Sequence, residues 1–168
     1  MKVRPETPSD YSSITEVNIK AFGIENEAKL IEKIRSSPRY IPELSLVAEI
    51  DNKIFGYILF SYIDLVNIQT LPVLGLAPLA VLPEYQNQGI GSILVETGLE
   101  IANQKKEALV VVLGHPEYYH RFGFQTSINY QIQSPFDVPE DVFMVKPLAN
   151  YQEKYQGKIL YPPAFSEV

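Results

Sequence analysis

The segment at residues 79–92, LAVLPEYQNQGIGS, constrains this chain more than any other. An apolar strand runs into a short polar turn, and the turn opens a helix through two glycines. A helix start leaves its first backbone N–H groups without intrahelical acceptors, and the macrodipole adds positive potential at the same place. Gly89 and Gly91 let that backbone approach an anion with no Cβ in the way, and Ser92 adds a hydroxyl beside the same donors. The segment therefore reads as a seat for a phosphate or diphosphate group.

The elements around this seat alternate in type. Residues 2–5 read as a short strand, and Ser9 or Asp10 can start a helix that places Ile14, Val17 and Ala21 on one face. Gly23 ends it. Residues 26–36 repeat the helical spacing with Ala28, Leu30, Ile31 and Ile34, and Pro38 and Pro42 prevent its continuation. Residues 44–50 and 54–65 are strand-like runs joined by Asp51, Asn52 and Lys53, which predicts an antiparallel hairpin. Residues 73–82 form a further strand, in which Pro78 cannot donate to a ladder and so marks a bulge or an unpaired edge.

The helix over residues 88–105 carries Ile90, Ile93, Leu94, Gly98, Ile101 and Ala102 at three- and four-residue spacing, a face made to lie on a sheet, with Gly98 allowing close approach. Residues 108–113 are a β-branched run that completes a β-α-β unit with parallel strands. Then comes GHPEYYHRFGF, in which Pro116 suits the start of a short helix and Gly123 its left-handed end. Its tyrosines fall beside the crevice where the two parallel strands end. Residues 130–133 and 142–145 are strand-like, and a tail with Pro162 and Pro163 closes the chain, packed or frayed.

Composition excludes several functions. There is no cysteine among the 168 residues, so no thiolate nucleophile, disulfide or zinc–thiolate site exists, and no metal-ligand pattern stands out. The net charge is −6 with dispersed lysines and arginines, which argues against a nucleic-acid surface. The N-terminus lacks the apolar core of a signal peptide, and no apolar run reaches membrane-spanning length, so the expectation is a cytoplasmic protein without membrane contact. The length suits one well-buried domain.

Taken with its apolar strand and Val81-Leu82-Pro83, the run Gln86-Asn87-Gln88-Gly89-Ile90-Gly91 resembles the Q/R-x-x-G-x-G/A signature of the GCN5-related N-acetyltransferases. Tyr119 to Phe124 resembles the Y-x-x-x-G-F block of the same family. The GHPEYYHRFGF version, with GLAPLAV upstream and FMVKPL and GKILYPPAF downstream, is most similar to the YhbS-like branch of predicted acetyltransferases. A dinucleotide fingerprint would follow the first strand rather than lie mid-chain, and a P-loop would need Lys-Ser/Thr after its second glycine, where Ser92-Ile93 stand.

The resemblance covers nearly the whole chain. It implies a single N-acetyltransferase domain over residues 1–168, with a core of about residues 1–148 and a C-terminal extension at 149–168. The implied fold is α/β: a mixed, mostly antiparallel sheet flanked by helices and splayed between its fourth and fifth strands. Acetyl-CoA is the implied cofactor. Its diphosphate would lie on residues Gln86, Asn87, Gln88, Gly89, Ile90, Gly91 and Ser92, and its pantetheine arm along Leu79, Ala80 and Val81, with Tyr119 and Phe122 nearby. Many relatives carry arginine where Gln86 and Gln88 stand, so part of the charge expected for the phosphates is missing.

The implied reaction is direct attack of an amine on the thioester through a tetrahedral intermediate. A backbone N–H near Val81 would polarise the carbonyl, and Tyr119 would protonate the leaving thiolate, with Tyr118 the neighbour to distinguish from it. His115 is the candidate base, and Glu25, Glu27 and Asp64 are carboxylates on elements that border acceptor sites. His115 also reads as a helix cap and Glu25 and Glu27 as first-turn carboxylates, and a water chain could serve instead of any of these bases. The acceptor is a small-molecule or peptide amine, and a homodimer is a further implication. A non-catalytic acyl-CoA-binding or sensing module, or a nucleotide-binding protein, would use the same turn differently.

Overall fold

The computed structural model describes residues 1–166. Strand β1 (Lys2–Pro5) leads into a turn stapled by one carboxylate. Asp10 accepts from the Arg4 guanidinium at 2.8 and 3.0 Å and from the Thr7 backbone N–H at 2.8 Å, and Arg4 also donates to Glu49 at 2.7 Å. These donors favour the charged carboxylate, which lowers the Asp10 pKa to about 2. Helix α1 (Tyr11–Phe22) starts from Asp10 and stops at Gly23, the break the sequence predicts, where a φ of 75° makes a left-handed cap. Helix α2 (Asn26–Arg35) follows, and Arg35 at its end is held by Glu6 through bonds of 2.9 and 2.8 Å.

The hairpin of β2 (Ser45–Ile50) and β3 (Lys53–Val66) turns at Asp51 and Asn52, with φ of 50° and 64°. Two residues with positive φ match the type I′ geometry that follows strand twist, and Asp and Asn tolerate it. Strand β4 (Thr70–Val81) runs antiparallel to β3, helix α3 (Ile90–Gln104) crosses over, and β5 (Leu109–Leu113) returns parallel to β4. Helix α4 (Pro116–Tyr119) is one turn long and continues as a 3-10 turn to Gly123, where φ is 90°.

Strands β6 (Gln125–Thr126), β7 (Ile132–Gln133), β8 (Phe143–Pro147) and β9 (Gly157–Leu160) complete a sheet of order β1-β2-β3-β4-β5-β8-β6, with β9 joined to both β3 and β7. Two pairings, β4 with β5 and β7 with β9, are parallel, and the rest are antiparallel. One detail differs from the sequence reading, and one left open by it is settled. Residues 127–130 wind into a 3-10 turn and Gln131 takes a φ of 57°, so the strand expected from residue 130 begins only at Ile132. The tail is packed: β9 pairs with the end of β3, and Phe165 lies against the core. Of the extension at residues 149–168, the last two residues lie outside the described ones.

Side-chain alternation sorts the core into two layers. Leu46, Ala48, Ile58, Phe60, Leu74, Leu76, Val110 and Val112 face α3, and Val47, Tyr57 and Leu59 face Ile14 of α1 and Leu30, Ile31 and Ile34 of α2. Gly98 lets α3 settle on the fully buried Phe60, whose ring occupies the space a Cβ would need. Burying a ring of that size is worth roughly 2–3 kcal/mol.

The functional crevice arises where the ladder fails. β4 and β5 pair only through Leu74 with Val110 and Gly75 with Val111. Just beyond, Ile58 of β3 faces Leu79 while Phe60 faces Leu76, so Ala77 and Pro78 together oppose Leu59. This is the bulge expected from Pro78, and it bends β4 away from β5. The stretch from Leu76 to Val81 stays bound to β3 on one side and is unpaired on the side facing β5. Among the described residues, no helix is long and apolar enough to cross a membrane.

Candidate active site

The anion seat predicted at residues 86–92 has the geometry its sequence demands. Gly89, with φ 87°, is the N-cap of α3, and the first capping bond runs from the Ile93 N–H to the Gly89 carbonyl at 3.1 Å. Among the described residues, the N–H groups from Asn87 to Ser92 have no backbone acceptor. Asn87 also takes a positive φ of 62°, which makes two left-handed residues in the three that precede Ile90. The turn is tied back by side chains: the Gln86 amide donates to the Val81 carbonyl at 3.1 Å and the Gln88 amide to the Glu84 carbonyl at 3.3 Å. The result is a concave row of donors at a positive helix end.

A cleft of about 480 Å³ opens over this row. Leu79 and Val81 of β4 form its apolar floor, Gln86, Asn87, Gly89, Gly91 and Ser92 its polar wall, and Tyr85, Tyr118 and Arg121 its rim. Arg121 reaches across from the 3-10 turn after α4 to donate to the Ser92 hydroxyl at 2.6 Å, and its guanidinium carbon lies 4.9 Å from the centre of the Tyr118 ring. The Tyr118 hydroxyl stands 2.7 Å from where a Cβ on Gly91 would be, so a side chain there would push the phenol aside. Burial raises the Tyr118 phenol, partly offset by Ser92 and Arg121 beside it.

The structure sorts the residues singled out by sequence. Leu79, Val81, Gln86, Asn87, Gly89, Gly91 and Ser92 meet in the cleft. Ala80 and Ile90 are buried, which leaves their backbone to take part, and Gln88 turns outward onto Glu84. Phe122 packs on the core edge-on to Tyr118, with ring centres 5.3 Å apart, and does not line the cleft. Tyr85, its ring tilted against Phe55 with centres 4.2 Å apart, and Arg121 were not foreseen. Tyr118 and Arg121 lie three residues apart, the spacing that puts both on one side of a helical turn, and that signal was available.

Tyr119 occupies a different place from Tyr118. Its ring is 9% exposed and packs edge-on against Phe124, with centres 5.5 Å apart. Gly114, directly after β5, makes room: a Cβ there would stand 2.5 Å from the Tyr119 ring. The ring therefore sits at the end of β5, on the side of the crevice opposite the β4 floor. Its hydroxyl has no hydrogen-bond partner among the described residues. It is also absent from the buried side-chain atoms without a partner, which are Asn18 Oδ1, Glu27 Oε1 and Ser61 Oγ, so it keeps contact with solvent. Burial pushes the phenol well above its ordinary pKa.

The candidate bases are dispersed. His115 is exposed and takes the N-cap position of α4, with its carbonyl accepting from the Tyr118 and Tyr119 N–H groups at 3.2 and 3.1 Å. Its side chain lines a neighbouring depression with Glu117 and Asp141 rather than the cleft. Asp64 is committed to Arg39 through two bonds of 2.8 and 3.1 Å, and Glu25 lies 3.6 Å from Lys29 on the surface. Glu27 keeps one enclosed, unpartnered oxygen.

A row of amides without backbone acceptors at a helix start, facing two parallel strands that part, has the geometry to receive an extended ligand with an anionic end. Residues 42–126 match the family model described as an acetyltransferase (GNAT) domain. The chain is 38% identical over 135 residues to the uncharacterized N-acetyltransferase YjhQ of Escherichia coli K12, covering 79% of this chain and 75% of that one. It is 36% identical over 151 residues to the uncharacterized N-acetyltransferase YhbS of the same strain, covering 89% of each. The crystal structure of E. coli YhbS in complex with CoA superposes with a TM-score of 0.90 at 33% identity, over 98% of this chain and 91% of that one. A GNAT family acetyltransferase from Brucella melitensis in complex with acetyl-CoA gives 0.80 at 30% identity, over 98% and 97%. The chain belongs to the GNAT family of acetyltransferases, and is an acyltransferase of that type.

Proposed function

We propose that this protein transfers the acetyl group of acetyl-CoA to an amine, with the cofactor's diphosphate on the α3 amides and its pantetheine arm along the free edge of β4. The observation that carries this reading is the coincidence of two features in one cleft. The row of N–H groups without backbone acceptors begins at Asn87, six residues beyond the end of the strand segment, from Leu76 to Val81, that has no partner on its β5 side. An extended chain with amide groups can complete that edge as a strand would, while its phosphates meet the helix start. We take residues 1–168 as one N-acetyltransferase domain in which β9, within the C-terminal extension, is part of the sheet.

The thioester supplies the activated acyl group. An unpaired N–H of the splayed β4 segment near Val81 polarises its carbonyl, the incoming amine adds to that carbonyl to give a tetrahedral intermediate, and the C–S bond breaks as the intermediate collapses. Tyr119, at the end of β5 with a free hydroxyl, gives its proton to the departing thiolate. Burial of the ring keeps the phenol protonated until the thiolate forms. The amine's proton leaves to water.

Thermal melting with acetyl-CoA, CoA and ATP side by side tests the reading. A ligand at a hundredfold its Kd adds about 2.7 kcal/mol to the folded state. Both CoA compounds raise the melting temperature by several degrees and ATP does not, and thiol release then follows on addition of primary amines. No shift with either CoA compound at millimolar concentration overturns the proposal.

A further inference from the structure

Arg121 stands out because the turn at residues 86–92 carries no cation of its own. The positions beside the glycines hold Gln86 and Gln88, both neutral and both tied to carbonyls of their own turn. Of the ten residues lining the cleft, Arg121 is the one cation. It comes from a separate element, 29 positions from Ser92 in sequence, and still places a guanidinium nitrogen 2.6 Å from the Ser92 hydroxyl in the first turn of α3. Among the described residues it has no carboxylate within ion-pair distance. Aromatic faces hold it instead, with the Tyr118 and Phe122 ring centres 4.9 and 5.3 Å from its guanidinium carbon.

We infer that Arg121 is the phosphate-gripping cation of this enzyme, bonding the diphosphate of CoA from the α4 side while the α3 amides bond it from the other. The inference rests on the proposed seating of CoA. A guanidinium keeps several donors after one is given to Ser92, and its planar fork matches two phosphate oxygens. Stacking on Tyr118 reduces the rotamer freedom lost when the ligand arrives. The charge missing from the turn is thus supplied by a residue far along the chain, and α4 is tied to cofactor binding through Arg121 as well as to chemistry through Tyr119.

Calorimetric titration with CoA and with dephospho-CoA, which keeps the diphosphate and lacks the 3′-phosphate, tests this on wild type, Arg121→Gln and Arg121→Lys. The expected result is a loss of about tenfold or more for R121Q with both ligands, partial recovery in R121K, and a weaker dependence of Kd on salt in R121Q. Arg121 is exposed, so the melting temperature without ligand should stay near wild type and report an intact fold. An R121Q affinity within twofold of wild type overturns the inference. A loss confined to CoA also overturns it, by moving the contact to the 3′-phosphate. Failure of wild type to bind either ligand brings down the seating of CoA itself, a distinct outcome.

Discussion

Tyr119→Phe separates chemistry from packing unusually well. The ring is buried against Phe124 and the backbone of Gly114, and phenylalanine keeps every one of those contacts. The hydroxyl has no hydrogen-bond partner to lose, so the variant should melt within about 1 kcal/mol of wild type, the value of one ordinary hydrogen bond. CoA affinity should likewise change little, because the phosphate seat lies across the cleft. Turnover should not. General acid catalysis contributes about 10²–10⁴-fold, which corresponds to about 3–5 kcal/mol of barrier.

The assay is thiol release from acetyl-CoA with the best primary amine from a panel, alongside calorimetric CoA affinity and a melting curve. The expectation is a fall in kcat of about a hundredfold at unchanged Kd. Since burial raises the phenol's pKa, the wild-type rate should show no loss attributable to Tyr119 between about pH 6 and 9. A kcat within threefold of wild type would refute the role of Tyr119, and a sharp loss of stability would refute the claim that its hydroxyl is unpartnered.

Other expectations follow from single contacts. Asp10 titrates near 2 when folded and near 3.8 otherwise, so its stabilisation is complete above pH 4 and is lost as pH falls through 2. Asp10→Asn should cost about 1–2 kcal/mol at pH 7, with the difference from wild type vanishing at about pH 2 in acid-unfolding curves. Gly98→Ala gains about 1 kcal/mol of helix propensity but drives a Cβ into the Phe60 ring, so a net loss of about 1–2 kcal/mol is expected in urea unfolding. His115→Ala should leave kcat within about threefold, because the side chain lies outside the cleft; a hundredfold loss with a shifted acidic limb would make it the base.

Local signals carried much of the fold into the sequence. Gly23 breaks its helix as expected, Gly123 ends its own with the left-handed φ expected of it, and Asp51-Asn52 turns the hairpin. Pro78, which cannot donate to a ladder, marks the point where β4 leaves β5. Strands β6 and β9 were not legible, because each is short and lacks strict alternation, and each exists only through a partner distant in sequence, Val145 for Gln125 and Leu65 for Ile159. The site divides in the same way. Backbone donors at residues 87–92 follow from a local rule, whereas Arg121 joins them only because the turn after α4 comes within hydrogen-bond reach of Ser92.

Strand β3 is longer than its hairpin partner, and this has a consequence during synthesis. Residues 45–50 cover its first half as soon as both emerge, but Asp64, Leu65 and Val66 wait for Lys158, Ile159 and Leu160. Until β9 leaves the ribosome, the nascent chain carries an open, apolar strand edge beside a nearly finished core, the kind of edge that recruits other chains. The last strand therefore serves as a closing seam, and a premature stop before residue 157 would yield a product prone to aggregate even though the whole cleft, from Leu79 to Arg121, had already been made.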